Sequence, residues 1–131
     1  MQTVQTREQR QADGVFRLVQ RVQTQKDSAY AKAYGSMAHK LPVLIRTAGL
    51  VQALEFVAAR PDSQQPQKDL LNDLALVLMY PHAQALCQAS HTVPLGSYMR
   101  LTQEALAALL WFKRFAQSVL GVQGDDEGDA Q

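Results

Sequence analysis

Residues 34–59 read YGSMAHKLPVLIRTAGLVQALEFVAA, and the fold depends on how that stretch is divided. Tyr34 lies four residues after Tyr30, which puts both rings on one face of a helix. That helix is expected over Ala29 to His39, ended by Pro42. A proline needs no N–H in a first turn, so Pro42 is also a fitting first residue for a further helix. The expected helix covers Pro42 to Ala59 and is apolar almost all round, through Val43, Leu44, Ile45, Leu50, Val51, Leu54, Phe56 and Val57. So little polar face predicts the buried centre of a bundle. Gly49 falls inside it, where glycine costs about 1 kcal/mol relative to alanine. A close approach of two helices is its expected use.

Helical periodicity continues on both sides. Toward the N-terminus, Ala12, Val15, Phe16, Leu18, Val19 and Val22 predict a helix that starts between Thr3 and Gln11 and ends near Lys26. Asp27-Ser28 supplies a break and an N-cap. Toward the C-terminus, Arg60–Gln67 (RPDSQQPQ) reads as a loop. A helix over about Gln67–Tyr80 follows, with Leu70, Leu71, Leu74, Val77 and Leu78 as its core stripe. Pro81 separates it from a short helix over His82–Ser90. The last helix is expected from Tyr98 or Thr102 to Leu120, with Gly121 as its C-cap. Alternating β-branched runs and Asn-Gly turns, the signatures of strands and hairpins, do not occur. The expected architecture is all-α: a compact single-domain bundle of five or six helices over residues 1–121, followed by an acidic disordered tail over 122–131.

A chain of 131 residues, 47% hydrophobic and 19% charged, has the size and apolar content for one packed core. Apolar runs fall short of the ~20 residues that a membrane span requires. Met1 to Arg10 carries no apolar segment of the secretory kind, and the single cysteine, Cys87, cannot close an internal disulfide. A soluble cytoplasmic protein is the expectation. The net charge of +1 conceals an asymmetry. Asp125, Asp126, Glu127 and Asp129 gather at the C-terminus, while Arg7, Arg10, Arg17, Arg21, Lys26, Lys32 and Lys40 crowd the first forty positions against Glu8, Asp13 and Asp27. A body with that balance suits an anionic partner.

Catalytic patterns are nearly absent. Phosphate-cradling glycine loops, the HExxH pair and the GxSxG elbow do not occur. His82, Cys87 and His91 lack the spacing that would put metal ligands on one helical face. Cys87 reads as a small buried hydrophobe. Asp69 and Asp73 share a face near a helix start, where carboxylates favour the helix dipole with no catalytic role. No enzyme, metal or cofactor is expected. Trp111, Phe112 and Phe115 read as core or subunit contact. Tyr30, Tyr34, Tyr80 and Tyr98 read as half-buried core rather than base-stacking platforms.

The informative pattern is a row of arginines. On an ideal wheel with Arg7 at the origin, Arg10, Arg17 and Arg21 fall near ~300°, ~280° and ~320°, and Val15, Val19 and Val22 near ~80°, ~120° and ~60°. Guanidinium groups spaced along one side of a helix can follow the phosphates of a nucleic acid. A solvated helix face is the plain alternative, although few acids lie on that side.

The segment Tyr34-Gly35-Ser36-Met37-Ala38-His39-Lys40-Leu41-Pro42, leading to Ile45 and then to Gly49-Leu50, Ala53-Leu54 and Phe56, resembles the small α-helical subunit of the type III-B CRISPR effector, the Cmr complex. So do Tyr98-Met99, Leu101-Thr102, Glu104-Ala105-Leu106 and the run Trp111-Phe112-Lys113-Arg114-Phe115-Ala116. The family commonly has Asn before the Gly-Leu pair, where this chain has Ala48. The similarity runs from about Arg10 to Leu120 and brings no catalytic signature. It implies a non-enzymatic subunit of an RNA-guided complex, present in several copies stacked along the guide RNA and target RNA. Its neighbours would be backbone subunits of the RAMP superfamily, a polymerase-like large subunit at one end, and further copies of itself. Arg10, Arg17 and Arg21, joined by Lys40, Arg46, Lys113 and Arg114, are then the expected phosphate contacts. Two other readings are a structural spacer that touches only protein and an unrelated helical regulator. The latter has no turn-plus-recognition-helix unit to support it.

Overall fold

The structure is a computed structural model and describes residues 4–124. These form six helices and a short 3₁₀ turn: α1 (Arg7–Gln25), α2 (Ser28–Ala48), α3 (Leu50–Ala58), the turn (Asp62–Gln64), α4 (Gln65–Val77), α5 (Ala83–Thr92) and α6 (Leu95–Ser118). The all-α bundle expected from periodicity is what the chain builds. Its acidic C-terminal residues lie outside the described ones.

Local signals set most boundaries. Thr6 caps α1 in a reciprocal box with Gln9, each side chain bonding the other's backbone N–H. Asp27 accepts from the Tyr30 amide and starts α2, as Asp27-Ser28 predicted. The first turn of α4 begins inside the expected loop, because Pro66 there needs no donor. That helix ends at Val77, three residues before the expected Tyr80. Met79 takes a left-handed conformation at φ 71°, and the Tyr80 amide bonds back to the Ala75 carbonyl. His82 is the cap of α5 rather than its first residue, its Nδ1 accepting from the Ala85 amide. At Leu95, directly after Pro94, α6 begins, earlier than the expected Tyr98.

The largest correction falls in the stretch quoted first. The break comes at Gly49, not at Pro42. Pro42 lies inside α2, buried, where it forgoes one backbone bond that the surrounding packing offsets. Gly49 has φ +90°, a conformation that side chains strain to adopt. It closes α2 and opens α3, and the Tyr98 hydroxyl beside it accepts from the Leu50 amide at 3.1 Å. The expected all-apolar central helix is therefore two elements. Its Leu50, Ala53, Leu54 and Val57 are buried, whereas Val43 is 54% and Phe56 55% exposed. The central element is α2, whose Tyr34, Met37, Ala38 and Leu41 are almost wholly buried and which packs on α6, α3 and α4.

The packed body runs past the expected boundary at Gly121. That glycine, at φ +71°, turns the chain so that the Val122 amide bonds the Ala116 carbonyl at 2.9 Å. Val122 is buried against Gly35 of α2, where an added Cβ would come within 2.8 Å of the valine Cβ. The Val122 carbonyl lies 3.0 Å from His39 Nε2. The C-terminal end of the body is thus pinned to α2.

Candidate nucleic-acid interface

The α1 arginines share a side of the helix but not a role. Arg10 and Arg17 are exposed. Arg10 bonds the Gln5 carbonyl at 3.0 Å, and Arg17 pairs with Asp13 one turn earlier at 3.1 Å. Arg21 is different, because it reaches α4 and bonds Asp73 at 3.0 Å. Asp73 is buried, and its other oxygen accepts from the buried Tyr34 hydroxyl at 2.6 Å. One turn away, the Tyr30 hydroxyl donates to Asp69, which also accepts from Gln65. The Tyr30 and Tyr34 rings stack with centroids 6.3 Å apart, and Lys26 lies over Tyr30. Asp69 and Asp73, expected to serve the helix dipole, instead hold α1, α2 and α4 together.

Electrostatics follow from burial. Desolvation raises the Tyr34 phenol well above its ordinary value of 10.0, helped by the negative Asp73. Tyr30 rises for the same two reasons, with Asp69 as its carboxylate. Asp73 is itself raised by desolvation, against the lowering effects of the Tyr34 hydrogen bond and of Arg21. Two tyrosines therefore stay protonated beside two aspartates. This arrangement donates and accepts internally, tying α1, α2 and α4 together.

The other expected contacts are dispersed. Lys40 and Arg46 sit on α2 with about 120° between them around its axis, Lys40 half-buried and Arg46 exposed in the last turn. Lys113 and Arg114 are both exposed on α6, about 100° apart. Only Arg114 faces a groove between α1 and α6, whose lining also includes Arg7, Arg100, Glu104 and Trp111. Arg7 pairs with Glu104 at 3.3 Å. Sequence reading placed Arg7 on the wheel without selecting it and passed over Arg100. The signal was present, since positions 100, 107, 111 and 114 fall on one arc of α6. Cys87 is buried, as expected, and burial pushes its thiol up to about 11. Among the described residues no group of three His, Cys, Asp or Glu could hold a metal, and no helix is long and apolar enough to cross a membrane.

Comparison with known proteins identifies the family. A sequence profile described as CRISPR-associated protein Cas_Cmr5 matches residues 7–119, from the start of α1 into the last turns of the body. The chain belongs to the Cmr5 family. It is 52% identical over 87 residues to the protein named CRISPR system Cmr subunit Cmr5 of Thermus thermophilus, covering 66% of this chain and 75% of that one. It also superposes on the crystal structure of a CRISPR-associated Cmr5 family protein from Thermus thermophilus. The TM-score is 0.79 at 44% identity, over 88% of this chain and 98% of the other. The resemblance drawn from Tyr34–Phe56 and Tyr98–Ala116 is borne out, and the unrelated-regulator reading falls.

Proposed function

We propose that this protein is the non-catalytic small subunit of a type III-B CRISPR (Cmr) effector in the cytoplasm. Several copies stack along the paired guide RNA and target RNA, beside RAMP backbone subunits, with the polymerase-like large subunit at one end. Arg10 and Arg17 hold phosphates without reading bases, and Lys40, Arg46, Lys113 and Arg114 add further positive charge along the stack. The observation that carries this reading is the solvent-facing pair Arg10 and Arg17 on the helix side opposite Val15, Val19 and Val22. Such contacts weaken steeply as salt rises. Arg21 serves the contact less than its wheel position suggests, because Asp73 already engages it.

The test uses assembled complex carrying Arg10→Glu and Arg17→Glu. Both side chains are exposed, so the variant keeps its helicity. It retains target RNA less well at moderate salt, and wild-type RNA crosslinks map to α1. Unchanged retention together with an absence of α1 crosslinks sinks the RNA-contact reading. The structural-spacer reading would then gain, on the exposed Phe56, Leu95 and Met99 that a neighbouring protein could cover.

A further inference from the structure

A second basic surface is separate from the Arg10–Arg17 row. It is the groove of about 770 Å³ between α1 and α6, a volume of the size that small ligands occupy. Trp111 lines it, half-buried. The indole is held from within: its ring stacks on Phe115 at 5.7 Å and 22°, and Phe115 meets Phe16 edge-on at 5.4 Å and 73°. This three-ring column fixes the indole as a rigid platform. Arg114 follows one turn after Trp111, and Arg100 lies about 21 Å from Arg114 along the α6 axis. Both are exposed, with no hydrogen-bond or ion-pair partner shown among the described residues. Arg7 joins them on the α1 side, its charge shared with Glu104. Glu8 is the remaining acid on the lining.

We propose that this groove binds single-stranded nucleic acid, one unpaired base stacking on Trp111 while flanking phosphates meet Arg114 at one end and Arg100 with Arg7 at the other. The inference rests on the reading above only for the class of polymer. Its chemistry is independent of Arg10 and Arg17, which do not line the groove. Positive charge on both sides of a fixed aromatic ring suits a short unpaired strand whose phosphates reach the arginines while one base meets the ring, and stacking tolerates any base. An acidic peptide would satisfy the arginines but leave the indole unused. A duplex keeps its bases stacked on one another and gives Trp111 nothing to receive.

The chain contains one tryptophan, so its emission reports on this groove alone. A short oligouridylate titrated into the full-length protein at low salt quenches that emission, and added salt reverses the quenching. Arg100→Glu with Arg114→Glu abolishes the effect with helicity intact, whereas Arg10→Glu with Arg17→Glu preserves it. Trp111→Leu weakens oligouridylate binding, read by anisotropy, about tenfold. The proposal is overturned if oligouridylate leaves the emission unchanged, if quenching survives the Arg100/Arg114 substitutions, or if polyglutamate quenches equally well. The last result would assign the groove to an acidic protein partner. Because the Arg10–Arg17 pair is tested by the RNA retention of its own double variant in assembled complex, and neither residue lines the groove, either reading can fail while the other stands.

Discussion

Two regions of this molecule are built from the same parts. The seam between α1, α2 and α4 and the groove between α1 and α6 each contain an arginine of α1, a carboxylate from another helix and aromatic rings. The ion pairs are nearly alike in length, 3.0 Å for Arg21–Asp73 and 3.3 Å for Arg7–Glu104. What separates them is water. The Asp73 side chain is 3% exposed and that of Glu104 37%. A buried carboxylate needs every partner it has, because removing one leaves an unsatisfied group in a poor solvent. An exposed carboxylate exchanges its partner for water at little cost. One arginine is therefore committed to the fold, and the other remains exchangeable for a ligand.

Asp73→Ala should give the largest effect. It strands the buried Tyr34 hydroxyl and releases Arg21, and urea unfolding followed by circular dichroism should show a loss of about 3 kcal/mol. A loss under about 1 kcal/mol would mean that the seam is no more structural than the groove. Alkaline pH comes next. The phenols of Tyr30 and Tyr34 are raised in the folded state, so above pH 10 the unfolded chain gives up protons that the folded one keeps. Their stabilising contribution is complete below pH 10 and is lost as pH climbs beyond it, by up to about 1.4 kcal/mol per pH unit for each tyrosine. Urea midpoints measured on either side of pH 10 should fall accordingly, and Tyr34→Phe should make the slope shallower. Arg7→Ala marks the small end, with a stability change below about 0.5 kcal/mol. A larger loss would show that the groove arginine also holds the bundle together.

How much of this was legible in sequence depends on whether a signal is local. Helix type, a first-helix start between Thr3 and Gln11, the Asp27 cap and the shared face of Tyr30 and Tyr34 all follow from neighbours within one or two turns, whereas the stacking of the two rings is seen only in the fold. Pro42 misled because its cost is local while its compensation is tertiary: a buried position surrounded by packing tolerates one missing hydrogen bond. Gly49 carried the true break, but a glycine in an apolar run looks the same whether it permits close packing or a positive φ. Arg21 shows the corresponding limit for the site. Its wheel angle matches those of Arg10 and Arg17, and only the fold brings Asp73, fifty-two positions away in the chain, within reach. The groove was hidden for a related reason, since Arg7 and Arg100 become neighbours only when α6 lies along α1.

The Val122–Gly35 contact has a practical consequence. Because the valine is seated where α2 lacks a side chain, the backbone reaching Gly124 is delivered next to His39 rather than continuing off the tip of the long final helix. A dye, tag or fused domain joined beyond that point would start its path at the middle helix. Distances measured from such a label should be interpreted from there.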